Sequence, residues 1–220
     1  MEYYTIKAVK TDFGNKIELI SLSKEIKKGD PLIIGVFHGD EPQGKYLIEK
    51  YLLTQTKDRI KNLLFIPCLN PDGMQRDSRT NANGVDLNRN FPTKNWGEDT
   101  SKAGPNPEDY NGGTSPASEI ETNFVIDIIK EYEPKLIITL HAPYKIVNYD
   151  GPAQDIAEKI SKIINYPVEA SIGYPTPGSF GTYCGVERNI PTITLELDEK
   201  IPVEQLIQPV FKIFDMFTKI

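Results

Sequence analysis

The stretch Pro31-Leu-Ile-Ile-Gly-Val-Phe-His38-Gly-Asp-Glu41-Pro42 joins an apolar run of strand length to the start of a helical pattern. The run Pro31–Phe37 is typical of a strand that is buried on both faces of a sheet. The segment that follows it, Pro42–Gln55, has apolar residues at the three- and four-residue spacing of an amphipathic helix. A buried strand that leads into a helix indicates an α/β fold, with His38 at the carboxyl end of its strand.

The rest of the chain repeats this alternation of apolar runs and helical patterns. Three further runs predict buried strands, at Leu63–Leu69, Leu136–Leu140 and Ile190–Leu195. Three further patterns predict helices, at Ser118–Tyr132, Ala153–Ile164 and Val203–Phe217. Because no repeat or linker composition interrupts the alternation, we expect residues 1–220 to form one domain of helix, sheet and helix layers.

A long segment, Asn70–Pro116, has almost no apolar periodicity and is dense in Asn, Gly, Pro and Asp. It predicts a loop of a length that is uncommon in a compact domain unless the loop has a function. Shorter polar loops are predicted at Pro143–Pro152 and Gly173–Thr182. Five aromatic residues in and near these loops are candidates for the lining of a pocket, although core packing or loop anchoring is expected for most of them, namely Tyr110, Tyr144, Tyr149, Phe180 and Tyr183.

The composition excludes several classes of partner and location. The net charge is −6, no Lys/Arg cluster occurs, and no apolar run approaches the roughly 18 residues of a membrane span. We therefore expect neither a nucleic acid nor a membrane as partner, and the lack of a secretory signal pattern favours the cytoplasm. The two cysteines, Cys68 and Cys184, are expected to be small buried residues and not a disulfide framework.

The arginines are unevenly distributed along the chain. Three of the five, Arg76, Arg79 and Arg89, fall within the predicted long loop, although lysine supplies the other twenty basic residues. Arginine suits bidentate capture of carboxylates, so this bias is a weak indication of a small anionic ligand.

Both histidines of the chain, His38 and His141, directly follow predicted buried strands. The carboxyl ends of such strands border the ligand crevice of an open α/β sheet. Glu41 lies three residues after His38, which lets both side chains point the same way where the helix begins. Each residue alone has an ordinary structural role, but two histidines and a carboxylate together indicate a catalytic zinc site with one position left for water.

A catalytic metal site for amide hydrolysis also needs a proton acceptor. Glu196 follows the strand predicted at Ile190–Leu195 and is therefore expected at the same edge of the sheet. Its neighbours Asp198 and Glu199 fall in a predicted polar turn and are assigned to the surface. An exposed strand-end carboxylate is the alternative interpretation of Glu196 itself.

Taken in order, five motifs resemble the signature of the zinc carboxypeptidases. They are His38-Gly-Asp-Glu41, Asn70-Pro-Asp-Gly73, Gly84-Val-Asp-Leu-Asn-Arg-Asn-Phe91, Leu140-His141 and Thr194-Leu-Glu196. The resemblance extends from about Pro31 to Glu199. It implies a three-layer α/β/α fold around a mixed, mainly eight-stranded twisted sheet.

The resemblance also implies a metal centre and its catalytic groups. By it, His38, Glu41 and His141 hold one zinc ion, and Glu196 is the general base and then the general acid. Arg79 polarises the scissile carbonyl and stabilises the oxyanion.

Further residues are implied to bind substrate or support the metal centre. Asn88 and Arg89 match the family's residues for a substrate carboxylate beside the scissile bond. Asp86 matches the carboxylate that orients the first zinc histidine, a partner that fixes the imidazole tautomer. Tyr174 stands at approximately the position of the tyrosine that covers the substrate.

A narrower likeness points to the branch of the family that acts on murein peptides. It rests on the segments Asn81–Pro92, Ser115–Glu119, His141–Pro143 and Gly173–Ser179. It implies a cytoplasmic amidase that cleaves the bond from the γ-carboxyl of D-glutamate to meso-diaminopimelate in murein tripeptide, during recycling of cell-wall peptides. Such a substrate carries several carboxylates, in agreement with the arginine bias.

Three other functions remain open at this point. The chain also resembles the N-acyl amino-acid deacylases of the aspartoacylase and succinylglutamate desuccinylase group, although Asn70–Gly73 and Pro175–Ser179 favour the peptidase branch. It could be a carboxypeptidase for other peptides. A non-catalytic zinc-stabilised binding module is a third alternative, which leaves Glu196 and Arg79 without a purpose.

Overall fold

The computed structural model describes residues 3–54, 63–100 and 106–218, and the strands in these ranges form one mixed eight-stranded sheet. The strands are β1 Tyr4–Lys10, β2 Lys16–Ser21, β3 Leu32–Gly35, β4 Leu64–Ile66, β5 Ile137–His141, β6 Ile146–Asp150, β7 Val168–Glu169 and β8 Thr192–Glu196. Their order across the sheet is β1-β2-β4-β3-β5-β8-β6-β7. The central strands β4, β3, β5 and β8 run parallel, whereas β1, β2 and β6 make antiparallel pairs.

Helices cover both faces of this sheet. The α-helices are α1 Gln43–Thr54, α2 Pro71–Gln75, α3 Ile120–Tyr132, α4 Gln154–Ile164 and α5 Ile207–Phe217. One apolar cluster joins α1, α4 and α5 to the side chain of Ile33, and the other joins α3 to those of Leu32 and Ile34. Successive residues of β3 thus enter opposite clusters, as expected of a strand buried on both faces. The predicted three-layer fold is confirmed.

All four predicted strands and all four long predicted helices are present, with shorter bounds. The strand expected at Leu63–Leu69 keeps only three paired residues, and the helix expected at Ser118–Tyr132 begins at Ile120. At the end of α1, the predicted last residue Gln55 lies outside the described ranges. Cys68 and Cys184 are buried and unpaired, as predicted.

The prediction of an unstructured loop over Asn70–Pro116 is wrong in part. The described residues of this segment form α2 and two 3₁₀ turns, at Leu87–Arg89 and Pro107–Tyr110. At the start of α2, the Asn70 side chain accepts a hydrogen bond from the Gly73 N–H at 2.9 Å, and Pro71 occupies the first turn. One-turn helices of this kind depend on caps and have no apolar stripe, so a search for periodicity does not find them.

The prediction of a loop over Pro143–Pro152 is also wrong, because β6 occupies its middle. This strand pairs antiparallel with β8, and its polar residues Asn148 and Asp150 alternate with the buried Val147 and the partly buried Tyr149. Its low apolar content concealed it. The loop predicted at Gly173–Thr182 extends only to Ser179, where a helical turn and the π-helix Thr182–Val186 follow.

None of the helices in the described ranges combines the length and the apolar character needed to cross a lipid bilayer.

Candidate active site

Three neighbouring parallel strands deliver the predicted site residues to one edge of the sheet. In the β3–β5 ladder Gly35 pairs with Leu140, and in the β5–β8 ladder His141 pairs with Glu196. His38 follows β3 by three residues. Since paired residues of adjacent strands lie about 4.8 Å apart, the register alone brings His141 and Glu196 together beside the turn that carries His38.

His38, Glu41 and His141 form a compact buried cluster. The His38 Nδ1 lies 2.8 Å from Glu41 Oε1, and the His141 Nδ1 lies 3.0 Å from Glu41 Oε2. One ligand atom from each of the three residues lies within 4.8 Å of the others. Within the described residues, no second group of three or more His, Cys, Asp or Glu side chains lies close enough together to hold a metal ion.

The geometry of the cluster fits zinc. The two Nδ1 atoms of His38 and His141 lie 3.3 Å apart. Two nitrogen ligands at the usual Zn–N distance of roughly 2.0–2.1 Å, arranged tetrahedrally, are separated by about 3.3–3.4 Å. Two imidazoles and one carboxylate are also a donor set that zinc commonly takes in enzymes.

The charges of the cluster favour a cation at its centre. Burial and the Arg79 charge lower the pKa of His38, but Glu41 and Asp86 outweigh them and raise it to about 9. Burial raises the pKa of Glu41, yet the two histidines hold it far below its usual range. The pocket thus stabilises positive charge between these three side chains, whether a proton or a metal ion carries it.

Asp86 connects the cluster to Arg79. Its Oδ1 lies 3.3 Å from His38 Nε2 and accepts a hydrogen bond from the Asn88 N–H at 2.8 Å. Its Oδ2 accepts from Arg79 Nε and Nη2 at 3.1 and 2.9 Å. Burial raises the pKa of Asp86, but Arg79 and His38 hold it well below its usual value. An ionised Asp86 at Nε2 leaves Nδ1 of His38 directed at Glu41 and His141.

Glu196 is buried beside this cluster with an unsatisfied oxygen. Only 6% of the residue is exposed, and its Oε2 has no hydrogen-bond partner among the described residues. Burial and, more weakly, Glu41 raise its pKa, while His141 and His38 oppose the rise. A carboxylate with a raised pKa and a vacant oxygen in a cavity is suited to accept a proton.

The remaining predicted residues line the same cavity. Arg79, Asn88, Arg89 and Tyr174 all border it, together with His38, Glu41, His141 and Glu196. Arg89 is only 2% exposed, and its Nε has no hydrogen-bond partner among the described residues. A buried guanidinium with an unused donor is a natural place for a carboxylate.

Tyr110 packs against both arginines of the cavity. Its ring centre lies 4.9 Å from the Arg79 guanidinium and 5.6 Å from that of Arg89, and the Tyr174 ring lies 6.4 Å away. These contacts position two flexible cationic side chains through cation–π attraction. Tyr110 thus anchors the side chains of both arginines, while Phe180 and Tyr183 are buried in the core.

The Asn70–Gly73 turn packs against the turn Phe37–Gly39, which carries His38. The Asn70 side chain donates hydrogen bonds to the carbonyl oxygens of Phe37 and Arg79, both at 3.2 Å. A Cβ on Gly39 would lie 2.0 Å from the carbonyl carbon of Gly73. The backbones of Gly39 and Gly73 are in direct contact. This contact holds the two turns in a fixed position relative to each other.

Comparison with known proteins identifies the family. The sequence profile of the zinc carboxypeptidases matches residues 2–162 of the chain. The chain belongs to the zinc carboxypeptidase family. The resemblance predicted from five short motifs is therefore confirmed, and the protein is an enzyme of the metallopeptidase class.

Curated relatives and a solved structure agree with this placement. The chain is 35% identical over 171 residues to murein peptide amidase A of Escherichia coli K12, an alignment that covers 75% of this chain and 69% of the relative. It is 36% identical over 173 residues to murein peptide amidase A of Vibrio campbellii, covering 76% and 68%. The structure of murein-tripeptide amidase MpaA from E. coli O157 superposes with a TM-score of 0.83 at 26% identity, covering 99% of this chain and 92% of that one.

A more distant neighbour shares the fold. Carboxypeptidase A from Helicoverpa armigera superposes with a TM-score of 0.73 at 19% identity, covering 98% of this chain and 68% of that chain. The mixed eight-stranded sheet between helical layers is thus common to this family member and to an insect carboxypeptidase.

Several cavity residues of this zinc carboxypeptidase were not found from its sequence. They include Asn148, Asp150, Ser171 and Thr194, whereas Tyr144, a candidate for pocket lining from the sequence, borders the cavity as well. Two of these, Asn148 and Asp150, lie on β6, which was predicted as a loop. The alternation of polar and apolar residues over Ile146–Asp150 was the available signal.

A buried acidic group supports the segment that precedes Asp86, and it gives a prediction for stability. Asn81 Nδ2 lies 2.7 Å from Glu119 Oε2 and 3.3 Å from both oxygens of Glu121. Burial raises the pKa of Glu121 to about 7, so the folded state holds this proton more tightly than the unfolded chain does. The associated stability is present below pH 4.5 and is lost as pH rises toward 7.

We compare the free energy of unfolding of Glu121→Gln with that of the wild type at pH 4.5 and at pH 8. The change caused by the substitution is expected to be more stabilising at pH 8 than at pH 4.5, by up to ~3 kcal/mol. Denaturant unfolding at the two pH values measures this difference. Glu131→Gln, at an exposed site on the same helix, is the matched control and should change stability by less than about 0.5 kcal/mol at both. A Glu121→Gln effect that is independent of pH would contradict the assignment.

Proposed function

We propose that this chain is a zinc-dependent amidase that hydrolyses the γ-D-glutamyl–meso-diaminopimelate bond of murein tripeptide. The observation that carries the proposal is the arrangement of one cavity. The His38–Glu41–His141 cluster, the unsatisfied Glu196 carboxylate and the unsatisfied Arg89 guanidinium all face it. The murein peptide amidases among the relatives support the choice of substrate.

His38, Glu41 and His141 hold one zinc ion per chain in this proposal. When bound, zinc supplies a Lewis acid that polarises the scissile carbonyl and lowers the pKa of water toward about 7. Asp86 fixes the tautomer of His38 by accepting its Nε2–H, which leaves Nδ1 as the ligand atom.

Glu196 moves the protons of the reaction. Its vacant Oε2 accepts a proton from the attacking water, and the same carboxyl later gives it to the leaving amine. Arg79 uses Nε and Nη2 to hold Asp86, while its Nη1 lies 3.9 Å from Glu41 Oε1, at the edge of the cluster. That Nη1 donates to the carbonyl oxygen as negative charge develops on it.

The substrate carboxylate beside the scissile bond binds at Asn88 and Arg89. Arg89 donates Nη1 to the Asn88 carbonyl at 2.7 Å, which fixes its guanidinium against the cavity wall and leaves Nε for the ligand. Tyr174 covers the bound peptide from the loop above. A small peptide with several carboxylates meets the charge of Arg79 and Arg89, and neither a nucleic acid nor a membrane is needed as partner.

The chain acts as one catalytic domain in the cytoplasm, in the recycling of cell-wall peptides. This part of the proposal draws on the murein peptide amidase relatives.

The experiment is product analysis by mass spectrometry after zinc-loaded protein is incubated with L-Ala-γ-D-Glu-meso-diaminopimelate. We expect free diaminopimelate and L-Ala-D-Glu in equal amounts. N-acetylaspartate and N-succinylglutamate serve as parallel substrates for the deacylase alternative. Hydrolysis of these two, with the tripeptide intact, would replace the amidase assignment with deacylation.

A further inference from the structure

Arg79 and Asp86 are joined twice, through their side chains and through the short loop between them. The Arg79 guanidinium donates two hydrogen bonds to Asp86 Oδ2, at 3.1 and 2.9 Å. The other carboxylate oxygen of Asp86 lies 3.3 Å from Nε2 of His38. Because residues 80–85 carry the chain from Arg79 to Asp86, the shape of this loop sets how the pair meets His38 and the cavity.

The amide side chain of Asn81 organises this loop from within. Its oxygen accepts hydrogen bonds from the backbone N–H groups of Asn83 and Val85, at 3.0 and 3.1 Å. The Asn81 backbone N–H donates to the Val85 carbonyl at 2.9 Å, and its carbonyl accepts from the Gly84 N–H at 3.1 Å. The residue is buried. The loop therefore closes around one amide, and displacement of that amide would move Val85 and, with it, the adjacent Asp86.

The buried carboxylate of Glu119 holds this amide from the other side. Its Oε2 accepts hydrogen bonds from Asn81 Nδ2 at 2.7 Å and from Asn83 Nδ2 at 2.9 Å. Its Oε1 accepts one from the Ser118 hydroxyl at 2.5 Å. Hydrogen bonds to an ionised carboxylate are roughly twice as strong as those between neutral groups. Glu119 thus ties two side chains of the loop to the segment that begins α3.

The Glu119 side chain serves the loop and not the helix that it precedes. It stands at the residue before α3, where a polar side chain often caps the free N–H groups, but it makes no capping hydrogen bond. Glu121, the next carboxylate, reaches Asn81 Nδ2 only at 3.3 Å. Neither glutamate borders the active-site cavity. Any effect of Glu119 on the site must therefore pass through the loop.

We propose that Glu119 is a positioning residue of the active site, which acts through Asn81 on the Arg79–Asp86 pair. It holds the loop in the shape that keeps Asp86 at Nε2 of His38 and keeps Nη1 of Arg79 at the edge of the proposed zinc site. The inference rests on the proposed function, which assigns oxyanion stabilisation to Arg79 and orientation of His38 to Asp86. Glu119 touches neither substrate nor metal in this role.

Two substitutions of Glu119 test the proposal with murein tripeptide. Glu119→Ala removes the hydrogen bonds to the loop. We expect it to lower kcat about 10–100-fold, because a displacement of about 1 Å at a catalytic group costs up to about 10²-fold. Glu119→Gln keeps one oxygen for Asn81 and Asn83, while its amide can donate to the Ser118 hydroxyl, and it should stay within about 5-fold of wild type. Glu131→Ala, at an exposed position on α3, is the control and should match wild type.

Zinc affinity separates this role from a purely structural one, and its measurement needs no substrate. Competition against a zinc chelator should show a loss of up to about 10-fold in Glu119→Ala, in the same direction as the loss in Asp86→Asn. The double variant should bind zinc about as weakly as Asp86→Asn alone, because both substitutions break the same connection to His38. Circular dichroism verifies that each variant is folded.

Wild-type kcat and zinc affinity in Glu119→Ala would overturn the proposal. So would a double variant whose loss of zinc affinity equals the product of the two single losses. If Glu119→Ala does not fold, Glu119→Asp takes its place, because it keeps the charge and withdraws the acceptor by one methylene. It should show the same two losses in smaller degree, and wild-type values would contradict the role. If the wild-type enzyme leaves the tripeptide intact, the amidase assignment has failed, and the zinc titrations still decide whether Glu119 positions Asp86.

Discussion

Replacement of Glu196 by glutamine is expected to lower the turnover of murein tripeptide by about 10²–10⁴-fold while the protein keeps its zinc. The amide has the size of the carboxyl but does not accept a proton from water. Since Glu196 Oε2 makes no hydrogen bond in the described structure, the substitution removes no protein contact of that atom. Stability should therefore be retained or increased, because a buried charge beside Glu41 is removed.

The matched control for this variant is Glu199→Gln, three residues further on at an exposed position. It should turn over the tripeptide at the wild-type rate. The measurement is single-turnover and steady-state release of diaminopimelate, together with zinc content by mass spectrometry. Substantial turnover by Glu196→Gln with full zinc occupancy would contradict the assignment of Glu196 as the base.

The second large effect is expected for Glu41→Gln, which replaces the proposed anionic zinc ligand between the two histidines. The Glu41 carboxylate lies 2.8 Å from His38 Nδ1 and 3.0 Å from His141 Nδ1, so its charge is central to the site. Loss of an outer partner such as Asp86 typically lowers metal affinity or activity 10–100-fold. Loss of a direct ligand should exceed that range, and activity should vanish at limiting zinc.

Competition titration against a zinc chelator measures the zinc affinity of each variant. We expect wild type to bind most tightly, Asp86→Asn to be weaker, and Glu41→Gln to be weakest. Glu49→Gln, on α1 at an exposed site paired with Lys45, serves as the control and should match wild type. Wild-type zinc affinity in Glu41→Gln would mean that the metal, if bound, uses other ligands.

The sequence predicted the parts of the molecule that depend on local pattern and on motif order. The four central strands are apolar on both faces, so their runs were visible, and the strand ends placed His38, His141 and Glu196 correctly at one edge. The strands that the sequence did not predict form through pairing with strands that are distant along the chain. The hairpin of β1 and β2 and the strand β6 are half polar, and they are strands because a neighbouring strand offers hydrogen bonds to them.

The residues of the cavity fall into the same two classes, those that a local motif reveals and those that only the fold brings into place. Asp86 and Arg89 belong to a motif with fixed spacing, whereas Asp150 belongs to none and reaches the cavity only through the register of its strand, opposite Thr192. Tyr110 likewise contacts Arg79 and Arg89 through tertiary packing that no local pattern encodes.

The direct contact between the main chains at Gly39 and Gly73 has a consequence for inheritance and for design. A side chain at Gly39 would enter the backbone of Gly73, and one at Gly73 would meet the Asn70 side chain and the Thr80 carbonyl, so neither substitution is compensated by an ordinary change at the other glycine. The histidine turn and the Asn70–Gly73 turn should therefore vary together among descendants of this chain. An engineer who transplants the metal-binding turn to another sheet would need to transplant the second turn with it.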